Sequence, residues 1–255
     1  RIWTRDYTQD SPIGCCDHMC YEQIYADKKM KLAAMAGIRW VRDDSEWSLA
    51  EQRPGEIVMP DGFLYRQSAI DRHGLKLLMI LNDHDGCCKE FYWKNDPEIG
   101  NPASLEAFAR YCRECCRCFG DRVTHFEVWN EFNFIDGRGR TPELYASLVK
   151  TAYTAVKDVN PSVRIVAGVT CNFQPDWIRR MLAAGAYDYL DVLSIHPYSL
   201  HPEPTGPEYG GFLQKLEFYR DLMKPYGEPK PIWVTEFGWG TYDGSAGIDQ
   251  DRAAA

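Results

Sequence analysis

Seven short apolar runs alternate with amphipathic segments along the whole chain, and this alternation limits the possible folds more than any other feature. The runs lie at 13–19, 38–44, 75–83, 123–131, 163–170, 191–198 and 232–239. Most are apolar throughout rather than on alternate residues, which is typical of parallel strands covered on both faces. Regular alternation of strands with helices predicts parallel strands joined by right-handed crossovers.

The segments between these runs have the ends expected of helices. Gly37 follows an amphipathic segment over 22–36, at the position where glycine commonly ends a helix. Asn101-Pro102 and Thr141-Pro142 each place a capping side chain before a proline of the first turn, which predicts helices that begin there and run to about 120 and 160. Further helices are predicted over 176–185 and about 208–226.

The alternation leaves two architectures within the α/β class, a doubly wound sheet and a (β/α)8 TIM barrel. Glycine-rich phosphate-binding fingerprints do not follow any of the seven runs, which disfavours a nucleotide-binding doubly wound sheet. An open seven-stranded sheet would also leave two long unpaired edges. We therefore predict a (β/α)8 barrel that forms a single domain over residues 1–255, truncated after the seventh strand, with its eighth βα unit not present in this chain.

Composition and charge narrow the classes of partner. The formal net charge of −8 disfavours nucleic acid and anionic membranes, and no apolar run approaches the roughly 18 residues that suggest a membrane span. Of the ten cysteines, several lie close together in a helical pattern over 112–118, so we interpret them as buried free thiols rather than as disulfides or a metal site. Free thiols favour a reducing compartment such as the cytoplasm, a secreted form with a trimmed signal stays open, and the oligomeric state is undetermined.

Polar and aromatic residues gather where the predicted strands end. In a parallel barrel the carboxyl ends of the strands form the functional face. The residues that we select on this basis are His18 after the first strand, Arg42 and Trp47 after the second, Asn82 and His84 after the third, Asn130 and Glu131 after the fourth, His196 and Tyr198 after the sixth, and Glu236 and Trp239 after the seventh.

The glutamates Glu131 and Glu236 indicate a type of reaction. Two carboxylates that flank one bond are the groups required for glycoside hydrolysis, since one protonates the leaving oxygen and the other attacks the anomeric carbon or activates water. We expect a carbohydrate substrate and no cofactor. No three ligands have metal-binding spacing within one element, so we expect no metal.

The neighbours of the two glutamates are suited to supporting roles. Asn130 is placed to hold a sugar hydroxyl, while Arg42 and Tyr198 could keep Glu236 ionised by charge and hydrogen bonding. Three tryptophans offer flat apolar faces that suit pyranose rings. They are Trp47, Trp129 and Trp239, and for Trp129, which lies inside an apolar run, core packing and sugar contact are both open.

Two motifs in this order and spacing resemble a known group of enzymes. "WNE" at 129–131 and "TEFGW" at 235–239 are similar to the catalytic segments of the clan A glycoside hydrolases, which are (β/α)8 barrels with glutamates at the ends of strands four and seven. "GIRWVRDDSEW" at 37–47 and "SIHPY" at 194–198 resemble the clan's second-strand arginine and sixth-strand His-x-Tyr segments. Within the clan the chain looks closest to family 39, with family 5 as a near alternative.

The resemblance implies a role for each matching residue. Glu131 would be the acid/base and Glu236 the nucleophile of a retaining enzyme, with a covalent glycosyl-enzyme and carboxyl groups about 5 to 5.5 Å apart. Asn130 would bind the sugar 2-hydroxyl, Arg42 and Tyr198 would support the nucleophile, and His196 would line the site. The chain departs from the clan in lacking the eighth strand, where many members carry a sugar-stacking tryptophan.

Two other functions stay open from the sequence. One is a carbohydrate-binding barrel without catalytic activity, and the other is an unrelated metal-dependent barrel hydrolase. The identity of the sugar, the linkage and the choice between endo and exo cleavage depend on the loops, chiefly 84–102, 133–142 and 199–212, and do not follow from these motifs.

Overall fold

Seven parallel strands follow one another in a single sheet, in the order of the sequence. The structure is a computed structural model that describes residues 11–19, 23–83, 87–96, 98–134, 139–198 and 211–238. The sequential parallel order is that of a barrel wall, so the predicted (β/α)8-type fold is confirmed, and each predicted strand is found with its ends shifted by a few residues. The strands are β1 Gly14–Cys16, β2 Trp40–Glu46, β3 Lys76–Asn82, β4 His125–Val128, β5 Arg164–Ala167, β6 Val192–Ile195 and β7 Ile232–Val234.

Helices cover the outside of this wall. The Asn101 side chain accepts a hydrogen bond from the Ser104 backbone N–H at 2.8 Å, and the Thr141 side chain accepts one from Leu144 at 3.1 Å, so both predicted caps are confirmed. None of the helices in the described ranges has the length and apolar character needed to cross a membrane. The helices are α1 Ala26–Met35, α2 Trp47–Ala50, α3 Asp61–Arg72, α4 Cys87–Tyr92, α5 Pro102–Phe119, α6 Pro142–Val159, α7 Pro175–Ala183 and α8 Phe212–Met223, of which α2, α3 and α4 lie outside the predicted segments.

The inside of the barrel wall holds an apolar layer near the amino ends of the strands. Leu78, Val166 and Val192 are buried together, and the indoles of Trp40 and Trp233 pack against them. These residues alternate along their strands with residues that face the helices. Two residues further along β2, β4 and β6, the inward positions become polar, and these positions form the floor of the site described below.

The clustered cysteines of α5 belong to the core between the sheet and the helices. Cys112, Cys115 and Cys116 are buried, and their thiols are free. Burial raises the pKa of all three thiols, that of Cys115 to about 12, which keeps them protonated and unreactive. The interpretation of this cluster as small buried hydrophobic groups is confirmed.

A buried carboxyl group on β2 makes the stability of the fold depend on pH. Asp43 is fully buried and lies 3.5 Å from the guanidinium of Arg66 on α3. Burial raises the pKa of Asp43 to about 7 although Arg66 opposes the shift. Because the folded state holds this proton more tightly than the unfolded chain, the stabilising contribution is fully present below about pH 4 and is lost as the pH rises through about 7.

Asp43→Asn is expected to remove this part of the pH dependence. The free energy of unfolding of the wild-type protein, measured with urea at pH 5 and pH 8, should fall more steeply with pH than that of the variant. Asp158→Asn is a matched control, because Asp158 is exposed on α6. An equally steep fall in the Asp43 variant would contradict the assignment.

Candidate active site

One guanidinium on β2 connects the groups that the sequence selects at the barrel mouth. Arg42 donates from Nε to Glu127 at 2.5 Å, from Nη2 to the Asn130 side-chain oxygen at 2.7 Å, and from Nη1 to Glu236 at 3.2 Å. Burial disfavours the charged form of Arg42. Its electrostatic attraction to Glu127 and, more weakly, to Glu236 is part of what outweighs this cost, so the pKa of Arg42 is raised. Since its partners belong to β4 and the segment after β7, Arg42 fixes these two parts of the wall relative to each other.

The carboxylate of Glu236 accepts hydrogen bonds at both oxygens. Tyr198 donates its hydroxyl to Oε1 at 2.6 Å, and Arg42 contacts Oε2. Burial and the hydrogen bond to Glu236 raise the pKa of the Tyr198 phenol, so that the phenol stays protonated and continues to donate. A charged donor and a neutral donor together fix the orientation of this carboxyl group.

Glu131 and Glu236 approach each other across the barrel mouth. One oxygen of each carboxylate and one ring nitrogen of His196 all lie within 4.8 Å of one another. His196 is fully buried, and its Nδ1 lies 2.9 Å from Glu131 Oε1 and 3.4 Å from Glu236 Oε2. The side chains of Glu131 and Glu236 are 18% and 29% exposed, so both can reach a molecule in the cleft.

These three side chains are also of the types that bind metal ions. In this arrangement, however, Glu236 already accepts hydrogen bonds from Arg42 and Tyr198. The second nitrogen of His196 lies 3.1 Å from the Thr235 hydroxyl, so both ring nitrogens contact protein groups. The donors around Glu236 therefore suit a hydrogen-bonded carboxyl group better than a metal ligand.

The backbone that presents Glu131 has an unusual conformation. Trp129 has φ 65° and Glu131 has φ 44°, in the left-handed region that residues other than glycine rarely adopt. Between strand β4 and the mouth, the chain thus makes a turn whose first side chain points into the core and whose third reaches the cleft. The Trp129 indole is fully buried against Phe108 and Phe132, so core packing is the correct interpretation for this residue.

A second polar group lies at the mouth on the side of β1 to β3. His18 Nδ1 lies 2.9 Å from Asp44 Oδ2, and Asn82 donates to Asp44 Oδ1 at 2.8 Å. The His18 side chain is 74% exposed, whereas Asn82 is buried. Asp44 thus links two of the selected residues.

Some functional candidates escaped the sequence analysis. Asp44 was not selected, although it lies two residues after Arg42 and therefore faces the same side of β2. The same spacing of two would have marked Ser194, which precedes His196. Glu127 shares the strand parity of Glu131, which predicts an interior hydrogen-bonded carboxylate, and the structure confirms this: Glu127 is fully buried and bonded to Arg42 and Ser194. Strand parity is therefore the signal that finds the floor of the site.

The residues selected from the sequence lie in different environments in the structure. It brings Arg42, Asn130, Glu131, His196, Tyr198 and Glu236 together, while His84 and Trp239 lie outside the described residues. Trp47 is fully buried and stacks on Tyr92 and Tyr111. This placement contradicts the prediction that Trp47 offers an apolar face to a sugar, because its indole has no exposed face.

A cavity of about 930 Å³ adjoins the site between β1 and β7. Arg42, Tyr198 and Glu236 form part of its wall near the mouth, and Trp40 and Trp233 line it nearer the amino ends of the strands.

Comparison with known proteins places the chain in a family. The family model described as the glycosyl hydrolase catalytic core matches residues 97–254, more than half of the chain, and the chain belongs to this family. The predicted resemblance to clan A and to family 39 is confirmed by this match together with the structural neighbours. None of the curated proteins compared with the chain matches it in sequence.

Three solved structures illustrate the similarity. A family 39 glycoside hydrolase from the gut symbiont Bacteroides cellulosilyticus WH2 is 26% identical with a TM-score of 0.74, over 94% of this chain and 51% of that one. An exo-beta-1,4-mannosidase from Opitutaceae bacterium strain TAV5 is 19% identical (TM-score 0.69, 89% and 45% covered). A GH39 beta-xylosidase from Caulobacter crescentus is 18% identical (TM-score 0.66, 89% and 53% covered). The last two support the fold alone, and the chain spans about half the length of each protein.

Proposed function

We propose that the protein is a retaining glycoside hydrolase that cleaves a β-linked oligosaccharide or polysaccharide by double displacement, with Glu131 as acid/base and Glu236 as nucleophile. The observation that carries this proposal is the approach of the two carboxylates, with oxygens within 4.8 Å of each other. A retaining pair is separated by only about 5 to 5.5 Å, whereas an inverting pair leaves room for a water molecule.

In the first step, Glu236 attacks the anomeric carbon while Glu131 gives its proton to the glycosidic oxygen. The bond to the leaving group breaks, and the sugar is held as an ester of Glu236. Arg42 and Tyr198 donate hydrogen bonds to the attacking carboxylate and so orient it. In the second step, Glu131 takes a proton from water while the water oxygen attacks the anomeric carbon, and the bond between that carbon and the Glu236 oxygen breaks, which releases the sugar and the Glu236 carboxylate.

Asn130 is suited to recognise the sugar during these steps. Arg42 has only donors, so the Asn130 atom that it meets at 2.7 Å is the side-chain oxygen. This contact fixes the orientation of the amide and leaves Nδ2 as the atom that donates to a sugar hydroxyl. A hydrogen bond to the 2-hydroxyl that strengthens in the transition state contributes to catalysis in glycosidases.

The names of similar proteins support the substrate class only in outline. The mannosidase and xylosidase among the structural neighbours are described as acting on β-linked sugars. We extend a β-linked substrate to this chain on that basis, and the sugar itself is left to measurement.

Trapping of the covalent intermediate tests the proposal. Incubation with 2-deoxy-2-fluoro glycosides that carry a good leaving group should add the mass of one sugar to the protein, on the peptide that contains Glu236. Product NMR should show the same anomer as the substrate. Calorimetric binding of glycans that are never cleaved would instead favour a carbohydrate-binding barrel, and turnover that is lost on chelation and restored by a metal would favour a metal-dependent hydrolase.

Glu131→Gln should reduce turnover to an extent that depends on the leaving group. The amide cannot donate an acidic proton, so hydrolysis of natural glycosides should fall about 10²- to 10⁴-fold. For a dinitrophenyl glycoside, whose leaving group needs no proton, formation of the glycosyl-enzyme should be spared. Pre-steady-state release of dinitrophenolate measures this step.

Glu217→Gln is the matched control, because Glu217 is exposed on α8. An equal loss for both classes of leaving group would contradict the role of Glu131 as the acid.

A further inference from the structure

Two hydroxyl groups join the floor of the site to His196. Ser194 Oγ lies 2.8 Å from Glu127 Oε1 and 2.5 Å from Thr235 Oγ1. Thr235 Oγ1 in turn lies 3.1 Å from His196 Nε2. Glu127, Ser194 and His196 are fully buried, whereas Thr235 is half-buried and lines the cavity. The mechanism proposed above makes no use of Ser194 or Thr235.

The number of available protons fixes the direction of each hydrogen bond in this chain. Glu127 is paired with the permanently charged Arg42 at 2.5 Å, and its carboxylate therefore accepts at both oxygens. Ser194 has one hydroxyl proton and donates it to Glu127, so it can only accept from Thr235. Thr235 has one proton and donates it to Ser194, so its oxygen can only accept from His196. Nε2 of His196 must then carry a hydrogen.

This assignment has a consequence at the other ring nitrogen. A neutral imidazole with hydrogen on Nε2 has a lone pair on Nδ1. Nδ1 lies 2.9 Å from Glu131 Oε1, and two lone pairs at that distance do not form a hydrogen bond. The contact therefore requires one proton between Glu131 and Nδ1. The proton lies either on Glu131 or on Nδ1, and in the second case Glu131 at 2.9 Å and Glu236 at 3.4 Å would both stabilise the imidazolium.

We propose that Ser194 and Thr235 are positioning residues that keep a hydrogen on Nε2 of His196, so that Glu131 and Nδ1 share a single proton in the resting protein. This inference rests on the proposed function and deepens it, because it explains how the proton that Glu131 gives to the leaving oxygen is held in place before a substrate arrives. When Glu131 protonates the leaving oxygen, its O–H bond breaks and a carboxylate is left opposite the Nδ1 lone pair. The proton that Glu131 then takes from water restores the hydrogen bond.

The tautomer of His196 can be measured without a substrate. Protein labelled with 15N-histidine is examined by NMR at neutral pH, and the resonances of His196 are identified by their loss in His196→Asn. We expect a hydrogen on Nε2. A neutral His196 whose only ring hydrogen lies on Nδ1 would overturn the proposal.

Three variants test the hydroxyl chain itself. Ser194→Ala frees the Thr235 proton for Nε2, so the tautomer should shift to Nδ1–H and kcat should fall roughly tenfold with little change in KM. Thr235→Val removes the acceptor of Nε2–H and should have a similar effect, whereas Thr235→Ser restores the hydroxyl and should keep the Nε2–H form. Thr154→Val, on the exposed side of α6, is the matched control for threonine to valine.

An unchanged tautomer in Ser194→Ala would overturn the proposal, even if Thr235→Val fails to fold. The NMR result is independent of turnover. Failure of this inference therefore differs from failure of the proposed function, which would appear as unchanged hydrolysis after replacement of Glu236.

Discussion

Glu236→Ala should lower turnover by about 10⁴-fold or more on every glycoside that the protein hydrolyses. The variant lacks the carboxylate that forms the sugar ester, and Arg42 and Tyr198 then hold no nucleophile. In contrast to Glu131→Gln, the loss should be the same for good and poor leaving groups, because both need the attack on the anomeric carbon. Steady-state hydrolysis of aryl glycosides with leaving groups of different acidity measures this independence.

The Glu236 variant offers a second readout. The alanine leaves a space beside the anomeric carbon, so a small added anion such as formate should restore part of the activity and give a product of inverted configuration. Glu228→Ala is the matched control, since Glu228 is exposed shortly before β7. Wild-type turnover in Glu236→Ala would end both the nucleophile assignment and the retaining mechanism.

Arg42→Met should have the largest effect on stability. It leaves the fully buried Glu127 carboxylate without its charged partner, and breaking a buried ion pair in this way costs about 3–5 kcal/mol of folding free energy. The methionine also releases Asn130 and Glu236 from their common donor, so catalysis should fall in the molecules that remain folded. Urea unfolding and hydrolysis rates of the same preparation separate the two effects.

A double-mutant cycle isolates the pair. Glu127→Gln alone leaves the Arg42 charge without its nearest partner, while Arg42→Met with Glu127→Gln removes both charges. The double variant should therefore be more stable than the sum of the single losses predicts. Arg42→Lys keeps the charge but lacks the planar fork that meets three acceptors at once, so it should recover stability better than activity. Additive single effects would show that Arg42 and Glu127 are not coupled.

The fold and the two central glutamates could be predicted because both follow from local patterns. Strands and helix caps can be recognised from short segments of sequence. Parallel strands in a barrel bring their carboxyl ends to one face. That geometry sufficed to bring Glu131 and Glu236 to one place from two distant motifs. Helices α2 and α4 were missed because a single turn or two is too short to show a helical period.

Which residues a side chain contacts depends on the register between neighbouring strands, and this register cannot be inferred from a single motif. Trp47 follows β2 directly, but the chain enters α2 there and the indole turns into the core against α4 and α5. Asp44, Ser194 and Thr235 acquire their roles only through neighbours on other strands. Position along a strand therefore predicts which face a residue occupies but not what it contacts.

The left-handed backbone at Trp129 and Glu131 implies a compromise between stability and activity. Non-glycine residues in this region typically carry about 1–3 kcal/mol of strain each. Glycine would relieve that strain at both positions, yet it could neither fill the core as Trp129 does nor bring a carboxyl group to His196. A library selected only for thermal resistance should therefore accumulate glycine at position 131, whereas a library selected for hydrolysis should keep the strained glutamate.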